Sequence, residues 1–435
     1  MDDRRIKGRI GIFQADWPLQ SQTANCASLL AYAGYEVDMF FHRVPQYVDI
    51  LSLPAFQETS RIHLHILGHQ AYDNPPSFPR QRNQKIVPKL KTFVEQYFVW
   101  TQQILGKKQP LIAEAVTRQA SAIIEGKLFR LFIGVEKKGL IWAGIMGDHF
   151  QIPYIYYSLE LYTKDHPDAM RTPLDRLLKA AEESYHRKAK ATIIQDIERA
   201  TVLYEDNGLT GKGLTFFIPV SLLDNPQEGK STFLRDKFNL PSTQKLILQF
   251  GLFYDRRFSL ELIDIAKKFP MEQTLILHGF SLSKSYHRQI QKKLHHRCIL
   301  SQELVPSSNI GKVVASADIG LVLYTAETKN DFLTSFSSEK MALYLQHGKP
   351  IIAFDYPGYR QLMDECECGV LIHDLSELPS AVNTILENWD HYSKNAFRCF
   401  SLHYDFNRNF KPFLDWLHHS FKSPSNPPYG EVSDA

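Results

Sequence analysis

The fold is decided by the stretch Thr334-Ser-Phe-Ser-Ser-Glu-Lys-Met-Ala-Leu-Tyr-Leu-Gln-His-Gly-Lys-Pro350. Apolar runs at 318–324 and 351–354 flank it, and both are typical of buried parallel strands because they are short, rich in branched residues and not alternating. Between them the sequence predicts a helix that begins at the serine pair and ends at the glycine of Gly-Lys-Pro. The unit is therefore a strand, a long loop, a helix and a strand.

This order places the start of the helix at the carboxyl edge of a parallel sheet, where open α/β sheets bind their ligands. Backbone N–H groups at the helix start, the hydroxyls of Ser337 and Ser338 and the ammonium of Lys340 are suited to a diphosphate. The alternative from the residues alone is that the serines only cap the helix and that Lys340 faces solvent.

The same residues resemble the donor-site segment of GT-B fold glycosyltransferases, and most closely the retaining enzymes of family 4. In that family a polar residue and a lysine precede a helix that ends in Gly-Lys-Pro. By this match Lys340 is the family lysine and Glu339 takes the polar position. Leu343 stands where the family has a glutamate that holds the donor ribose.

Glu339 is expected to compensate for that departure. A carboxylate at a helix N-terminus stays ionised because the helix dipole stabilises it, and Leu343 has no atom that accepts a hydrogen bond. We therefore expect Glu339 to accept a ribose or sugar hydroxyl of the donor. The alternative is that it caps the helix or pairs with Lys340.

Length and composition indicate a globular protein with room for two domains. Hydrophobic residues make up 44% of the chain and charged residues 22%, and the net charge of +3 is too small to indicate nucleic-acid binding. The 5 cysteines follow no regular framework, the N-terminus has no apolar segment and no apolar run is as long as a membrane span. The sequence predicts a cytoplasmic protein.

The first half of the chain opens with a strand at 9–13, a helix at 22–33 and a strand at 37–41. The turn after the first strand lacks Gly-x-Gly-x-x-Gly, so it does not favour a nicotinamide or flavin cofactor. In the enzymes that the chain resembles, this loop faces the cleft near the acceptor. Asp16 and Trp17 are therefore candidate contacts, with a purely structural turn as the alternative.

A second segment, 132–162, resembles the acceptor-domain core of the same family. There a strand, a helix and an Ile-Pro-x-Ile-Tyr strand end in a turn similar to His-Glu-Leu-Tyr. Glu160 matches the glutamate of that turn, while Leu159 stands in the histidine position. Glu136 ends the preceding strand at the same edge, and it is either a cleft residue or a solvated loop carboxylate.

The second half begins after a linker predicted at 224–230. Gly251 ends its first strand, and Arg256 and Arg257 precede the next helix. In the family, a glycine and a basic residue at these places hold the donor diphosphate, for which the guanidinium fork is suited. Gly279 ends the next strand in place of the family's Gly-x-Gly.

A basic, aromatic helix is predicted at 86–105. Such a helix either packs on the sheet or contacts an anionic membrane surface or a lipid-linked acceptor. Peripheral contact with the inner face of the membrane is therefore one expectation.

The predicted class is α/β, with two doubly wound Rossmann-like domains that face an interdomain cleft, as in the GT-B fold. The first domain spans 1–223, the second spans 231–395, and 396–435 form a helix that crosses back to the first domain and a polar tail. A tight turn is predicted at 355–360.

The resemblance implies a transferase that moves a sugar from a nucleotide-diphosphate donor to a glycan or lipid-linked acceptor in polysaccharide biosynthesis, with retention. The chain has no Asp-x-Asp, so no metal or other cofactor is expected. Lys340, Arg256, Arg257 and Glu339 are the expected catalytic residues. Two alternatives are a nucleotide-sugar epimerase or hydrolase of GT-B type, and a catalytically silent subunit that binds nucleotide sugar.

Overall fold

A computed structural model describes residues 6–15, 21–41, 59–67, 112–166, 170–209, 211, 213–223, 225–302, 305 and 309–420, with the backbone alone for 112–116. The candidate acceptor contacts Asp16 and Trp17 lie outside these residues. The helix predicted at 86–105 lies outside them as well.

The first sheet holds parallel strands in the order β3-β2-β1-β4-β5-β6-β7. Its strands are β1 (Arg9–Gln14), β2 (Glu36–Phe41), β3 (Ile62–Ile66), β4 (Phe129–Val135), β5 (Tyr154–Tyr157), β6 (Thr192–Ile194) and β7 (Thr215–Phe217). Its helices are α1 (Ser21–Tyr32), α2 (Ile112–Ile124), α3 (Glu136–Phe150), α4 (Pro173–His186) and α5 (Ile197–Asp206). The strand order reverses between β1 and β4, so the sheet is doubly wound and its ligand edge lies at their carboxyl ends.

The second sheet is also parallel, in the order β10-β9-β8-β11-β12-β13. Its strands are β8 (Lys245–Leu252), β9 (Gln273–Phe280), β10 (Cys298–Ser301), β11 (Ile319–Val322), β12 (Ile351–Phe354) and β13 (Gly369–Ile372). Its helices are α6 (Phe233–Phe238), α7 (Ser259–Ala266), α8 (Lys284–Lys293), α9 (Ile310–Ser316), α10 (Lys329–Phe332), α11 (Glu339–Gln346), α12 (Pro357–Cys366), α13 (Leu378–Glu387) and α14 (Trp389–Cys399). The switch point falls between β8 and β11, next to α11.

The helix of the deciding stretch, α11, begins after Ser338 as predicted, and Gly348 follows its end with a φ of +60°. The turn predicted at 355–360 is wrong, because α12 begins there with Pro357 in its first turn. Proline is favoured at that position, since its missing N–H has no partner in a helix anyway. The predicted α/β class is confirmed by the two sheets.

The last helix, α15 (Phe406–Ser420), packs on the first sheet. A π-helical turn, Phe400–Tyr404, separates it from α14, so the crossing helix begins at Phe406 rather than at residue 396. Phe410 and Phe413 are fully buried in the core of the first sheet. The domain limits stay predictions.

None of the helices in the described ranges is long and apolar enough to cross a membrane.

Candidate functional site

The start of α11 lies at the carboxyl edge of the second sheet. Ser338 is its N-cap: the Ser338 Oγ accepts a hydrogen bond from the Met341 N–H at 3.3 Å. The same Oγ lies 2.7 Å from the hydroxyl of Tyr324, which follows β11. The first N–H groups of a helix have no acceptor within the helix, so this end carries partial positive charge.

Two cations share the ring of Tyr324. The Arg257 guanidinium lies 4.1 Å from the ring centroid and the Lys340 Nζ lies 5.0 Å from it. Burial and the neighbouring Arg257 lower the pKa of Lys340 to about 7, while Asp331 acts in the opposite direction. The structure therefore brings together two of the predicted donor-side cations in a place where a further negative charge would be stabilised.

Asp331 is the counter-ion of the two arginines. Its carboxylate accepts from Arg257 Nη1 at 2.9 Å and from Arg256 Nη1 at 3.4 Å. The residue is 5% exposed, and Thr328, the N-cap of α10, also donates to it at 3.0 Å. The sequence patterns above do not predict this role, although Thr-x-x-Asp at a helix start is a capping signal that points to a fixed carboxylate.

Glycine is found at the two candidate positions, 251 and 279, for different structural reasons. Gly279 has a φ of +144°, and a Cβ there would lie 1.9 Å from the carbonyl oxygen of Gly251 on the neighbouring strand. Gly251 has a φ of +114°, and a Cβ there would meet no atom of the described residues within 4 Å. Gly279 is required by packing, whereas the backbone at Gly251 borders open space that a ligand can approach.

Ser337 is occupied within its own loop. Its N–H donates to the Thr334 carbonyl at 3.1 Å and its Oγ donates to the Leu333 carbonyl at 3.3 Å. Ser337 is therefore not available to bind a diphosphate as the sequence predicted. The predicted groups that are still available are Ser338 and the first turn of α11.

Glu339 makes a contact between the two halves of the chain. The hydroxyl of Ser21, the first residue of α1, donates to Glu339 Oε2 at 2.6 Å. Solvent reaches the Glu339 residue, yet the surrounding protein raises the pKa of its carboxyl through desolvation, and the Ser21 hydrogen bond opposes that shift. Among the residues that the structure describes, the Oε1 atom has no hydrogen-bond partner.

Glu136 is a buried residue rather than a solvated loop carboxylate. It is 6% exposed and opens α3 with a φ of +59°. Its Oε1 accepts from the backbone N–H groups of Leu159 and Glu160, at 2.6 and 2.9 Å. Glu136 therefore fixes the turn after β5, which carries Glu160.

Arg199 joins the acceptor side to the second sheet, and the sequence patterns above did not single it out. This fully buried guanidinium donates to the Leu333 carbonyl at 2.9 Å and to the Leu159 carbonyl at 2.8 Å. Burial lowers the pKa of Arg199, while Glu160, Asp196 and Glu136 oppose that shift. The signal in the sequence that could have indicated this role is an arginine in the first turn of a helix that follows Gln-Asp.

Within the described ranges, no group of three or more His, Cys, Asp or Glu side chains is arranged to hold a metal ion.

Comparisons with known proteins agree with this architecture. Residues 262–401 match the family model described as the glucosyltransferase 3-like, C-terminal domain. No curated protein matches the chain.

Among solved structures, HepE of Anabaena in complex with UDP and glucose is 15% identical, with a TM-score of 0.67 over 95% of this chain and 100% of that one. Sucrose-phosphate synthase of Thermosynechococcus elongatus is 15% identical, with a TM-score of 0.62 over 96% and 100%. WaaG, a glycosyltransferase involved in lipopolysaccharide biosynthesis, is 12% identical, with a TM-score of 0.58 over 96% and 100%. The chain has the GT-B fold, and the predicted resemblance to GT-B fold glycosyltransferases is confirmed; at these identities the likeness shows the fold and not the reaction.

Proposed function

We propose that this chain is a glycosyltransferase that moves a sugar from a nucleoside diphosphate donor to an acceptor. One observation carries the proposal: Arg257 and Lys340 meet on the ring of Tyr324 at the start of α11. This place is the carboxyl edge of the second sheet, and a diphosphate would supply negative charge and oxygen acceptors to both cations and to the first N–H groups of α11.

The chemical role of these groups follows from the charge that develops during transfer. As the bond between the sugar and the diphosphate breaks, the leaving oxygen becomes negative. Arg257, Lys340 and the first N–H groups of α11 stabilise that charge without reorganisation because the fold already holds them. The positive groups present are sufficient for this role, so no divalent metal takes part in the proposal.

The nature of the substrates belongs to the same proposal. HepE is known in complex with UDP and with UDP-glucose, which makes a UDP-sugar the first donor to test. Retention of configuration, a glycan or lipid-linked acceptor and a place in polysaccharide biosynthesis rest on the resemblance to family 4. The cytoplasmic location and the membrane contact of the helix at 86–105 stay predictions.

A binding experiment tests the donor site first. Calorimetry with UDP, GDP and ADP should show that one of them binds, and Lys340→Ala should weaken that binding by about 1 to 3 kcal/mol, the range for a hydrogen bond to a charged group. Lys292→Ala is the matched control, since it removes an exposed lysine from the last turn of α8, at the end of that helix away from the ligand edge of the sheet. Unchanged affinity in Lys340→Ala would remove Lys340 from the site.

A turnover experiment then separates the candidate functions. The parent protein is incubated with a panel of radiolabelled nucleotide sugars, with and without glycan and lipid-linked acceptors. Transfer of label to an acceptor supports the proposal, and the anomeric configuration of the product tests retention. Nucleotide release or sugar inversion without an acceptor would indicate a hydrolase or an epimerase, and binding without release would indicate a silent subunit.

The role of metals is tested in the same assay. Activity should persist in EDTA because side chains and a helix terminus supply the positive charge. Loss of activity in EDTA, with recovery on addition of Mg²⁺ or Mn²⁺, would contradict this part of the proposal.

A further inference from the structure

Asn330, on the short helix α10 of the second half, directs its side chain at the first half of the chain. Its Nδ2 donates to Glu160 Oε2 at 2.6 Å. Its Oδ1 accepts from the Leu161 N–H at 2.8 Å and from Arg199 Nη2 at 3.0 Å. A carboxylate on one side and N–H donors on the other fix the orientation of the amide.

The next residue on α10 faces the donor side. Asp331 binds Arg257 and Arg256, and Thr328 holds its carboxylate at the start of the helix. One rigid turn thus links the acceptor-side carboxylate to the donor-side cations. A shift of Asn330 would move Glu160 relative to Arg257.

Glu160 is close enough to the donor side to influence it. Burial is the main cause that raises the pKa of Tyr254 and of Tyr324, and the negative charge of Glu160 contributes to both shifts. These are the rings on which the Arg257 guanidinium lies, at 5.0 and 4.1 Å. Glu160 is partly exposed, and within the described part of the chain its Oε1 has no hydrogen-bond partner.

We infer that Asn330 is a positioning residue for the proposed transfer: it holds Glu160 at a fixed place opposite the donor diphosphate, with Oε1 open to a substrate hydroxyl. The inference rests on the proposed function. An amide suits this place because its nitrogen donates to the Glu160 carboxylate while its oxygen, on the other side of the same planar group, accepts from the Leu161 N–H and from Arg199. The N–H from Asn330 also keeps the Glu160 carboxylate oriented, which is needed for it to accept from a hydroxyl.

The test is a double-mutant cycle between Asn330 and Glu160. Asn330→Asp keeps the size and the oxygen that accepts, but it places a second carboxylate against Glu160. We expect kcat to fall at least about tenfold, the effect of a lost hydrogen bond to a charged group, while the affinity for UDP stays within about twofold. In the Glu160→Gln background the same change should cost less than about twofold, because the new amide donates to the new carboxylate.

Matched variants exclude a general effect on folding. Asn383→Asp alters an asparagine on α13 that accepts from Gln273, and it should leave kcat and UDP affinity unchanged. Asn330→Ser keeps a hydroxyl that donates to Glu160 and should lose less activity than Asn330→Asp.

Two outcomes would overturn the inference alone: parent-like kcat in Asn330→Asp, or the same loss of kcat in both backgrounds. A parent protein that binds UDP but transfers no sugar would overturn the proposed function, and the inference with it. The first two outcomes require an active parent, so the two failures are distinguished in one experiment.

Discussion

The donor side and the acceptor side of the cleft differ in the sign of the charged groups that they present. On the donor side, Arg257 and Lys340 lie on the face of Tyr324, and the buried carboxylate of Asp331 accepts from Arg257 and Arg256. On the acceptor side the carboxylate of Glu136 is bound by backbone N–H groups. The donor side therefore offers positive charge to an anion, whereas the acceptor side, as far as its residues are described, offers the Oε1 atom of Glu160 to a neutral hydroxyl.

The two sides also differ in what holds them. Asp331 and the aromatic rings fix the donor-side cations within the second half of the chain. The acceptor-side turn is held by Glu136 of its own half and, in addition, by contacts with the other half, through Asn330 and through the Leu333 carbonyl that Arg199 binds. Changes at Asn330 or Arg199, which connect the two halves, should therefore act on stability and on the acceptor side. Changes at the donor-side cations should act on donor binding.

The largest effect is expected from Arg199→Met. The methionine fills similar space but leaves buried acceptors, including the Leu159 and Leu333 carbonyls, without their donor. Breaking a buried charged network of this kind costs about 3 to 5 kcal/mol, measured here as the free energy of unfolding in urea. Arg187→Met is the control: Arg187 is 54% exposed in its side chain, and its replacement should cost less than about 1 kcal/mol. An equal loss of unfolding free energy in the two variants would show that Arg199 does not hold the two halves together.

The next effect is expected from Arg257→Met, and it should appear in donor binding. The Arg257 side chain is 15% exposed, whereas the Arg256 side chain is 29% exposed and its guanidinium lies farther from Asp331. We expect Arg257→Met to weaken binding of the nucleoside diphosphate by about 1.5 to 3 kcal/mol, and Arg256→Met by less. Calorimetry on both variants measures the difference. A larger loss of nucleoside diphosphate affinity in Arg256→Met than in Arg257→Met would show that Arg256 is the more important of the two for donor binding.

The deciding stretch was predictable because its signals are local. The cap at Ser338, the end at Gly348 and the strand at Ile351–Phe354 depend on neighbouring residues alone. The turn predicted at 355–360 was wrong for a related reason: Pro-Gly is a turn signal, but proline also suits the first turn of a helix, and packing of Tyr359 into the core decides between them.

Side-chain partners across the cleft were not predictable. Asn330 and Glu160 are 170 residues apart, and Ser21 and Glu339 are 318 apart. No local pattern relates such positions, since the fold alone brings them together. The same holds for Glu136, whose burial depends on the turn that it binds.

A smaller effect is expected from pH on donor binding. The donor-free pKa of Lys340 is lowered to about 7, and a diphosphate beside the ammonium would raise it again. Binding should therefore take up a proton above pH 7, with affinity falling by up to about tenfold per pH unit there and level just below pH 7, before the terminal phosphate itself is protonated. Calorimetry at pH 8 in Tris and in HEPES, which differ in ionisation enthalpy, measures the uptake. Lys340→Arg should remove it, and uptake that persists in that variant would assign the proton elsewhere.

The smallest effect is expected from Ser21→Ala, which removes the hydroxyl bound to Glu339 Oε2. The contact is exposed and the same hydroxyl lies 2.8 Å from Gln22 Oε1, so we expect a loss of stability of at most about 1 kcal/mol. Donor affinity should stay within about twofold, because the proposed acceptor of the donor hydroxyl is the other oxygen, Oε1. Calorimetry and thermal unfolding on Ser21→Ala measure the two quantities.

Glu339 variants complete this experiment, because they separate the contact between the halves from the donor contact. Glu339→Ala should weaken donor binding by about 1 kcal/mol, and Glu339→Gln by less, since the amide oxygen still accepts a hydrogen bond. If both variants keep the parent's donor affinity and turnover, and only thermal stability falls to the level of Ser21→Ala, then Glu339 serves only as a contact with Ser21 and at the start of α11. In that case the donor hydroxyls are held by residues other than Glu339.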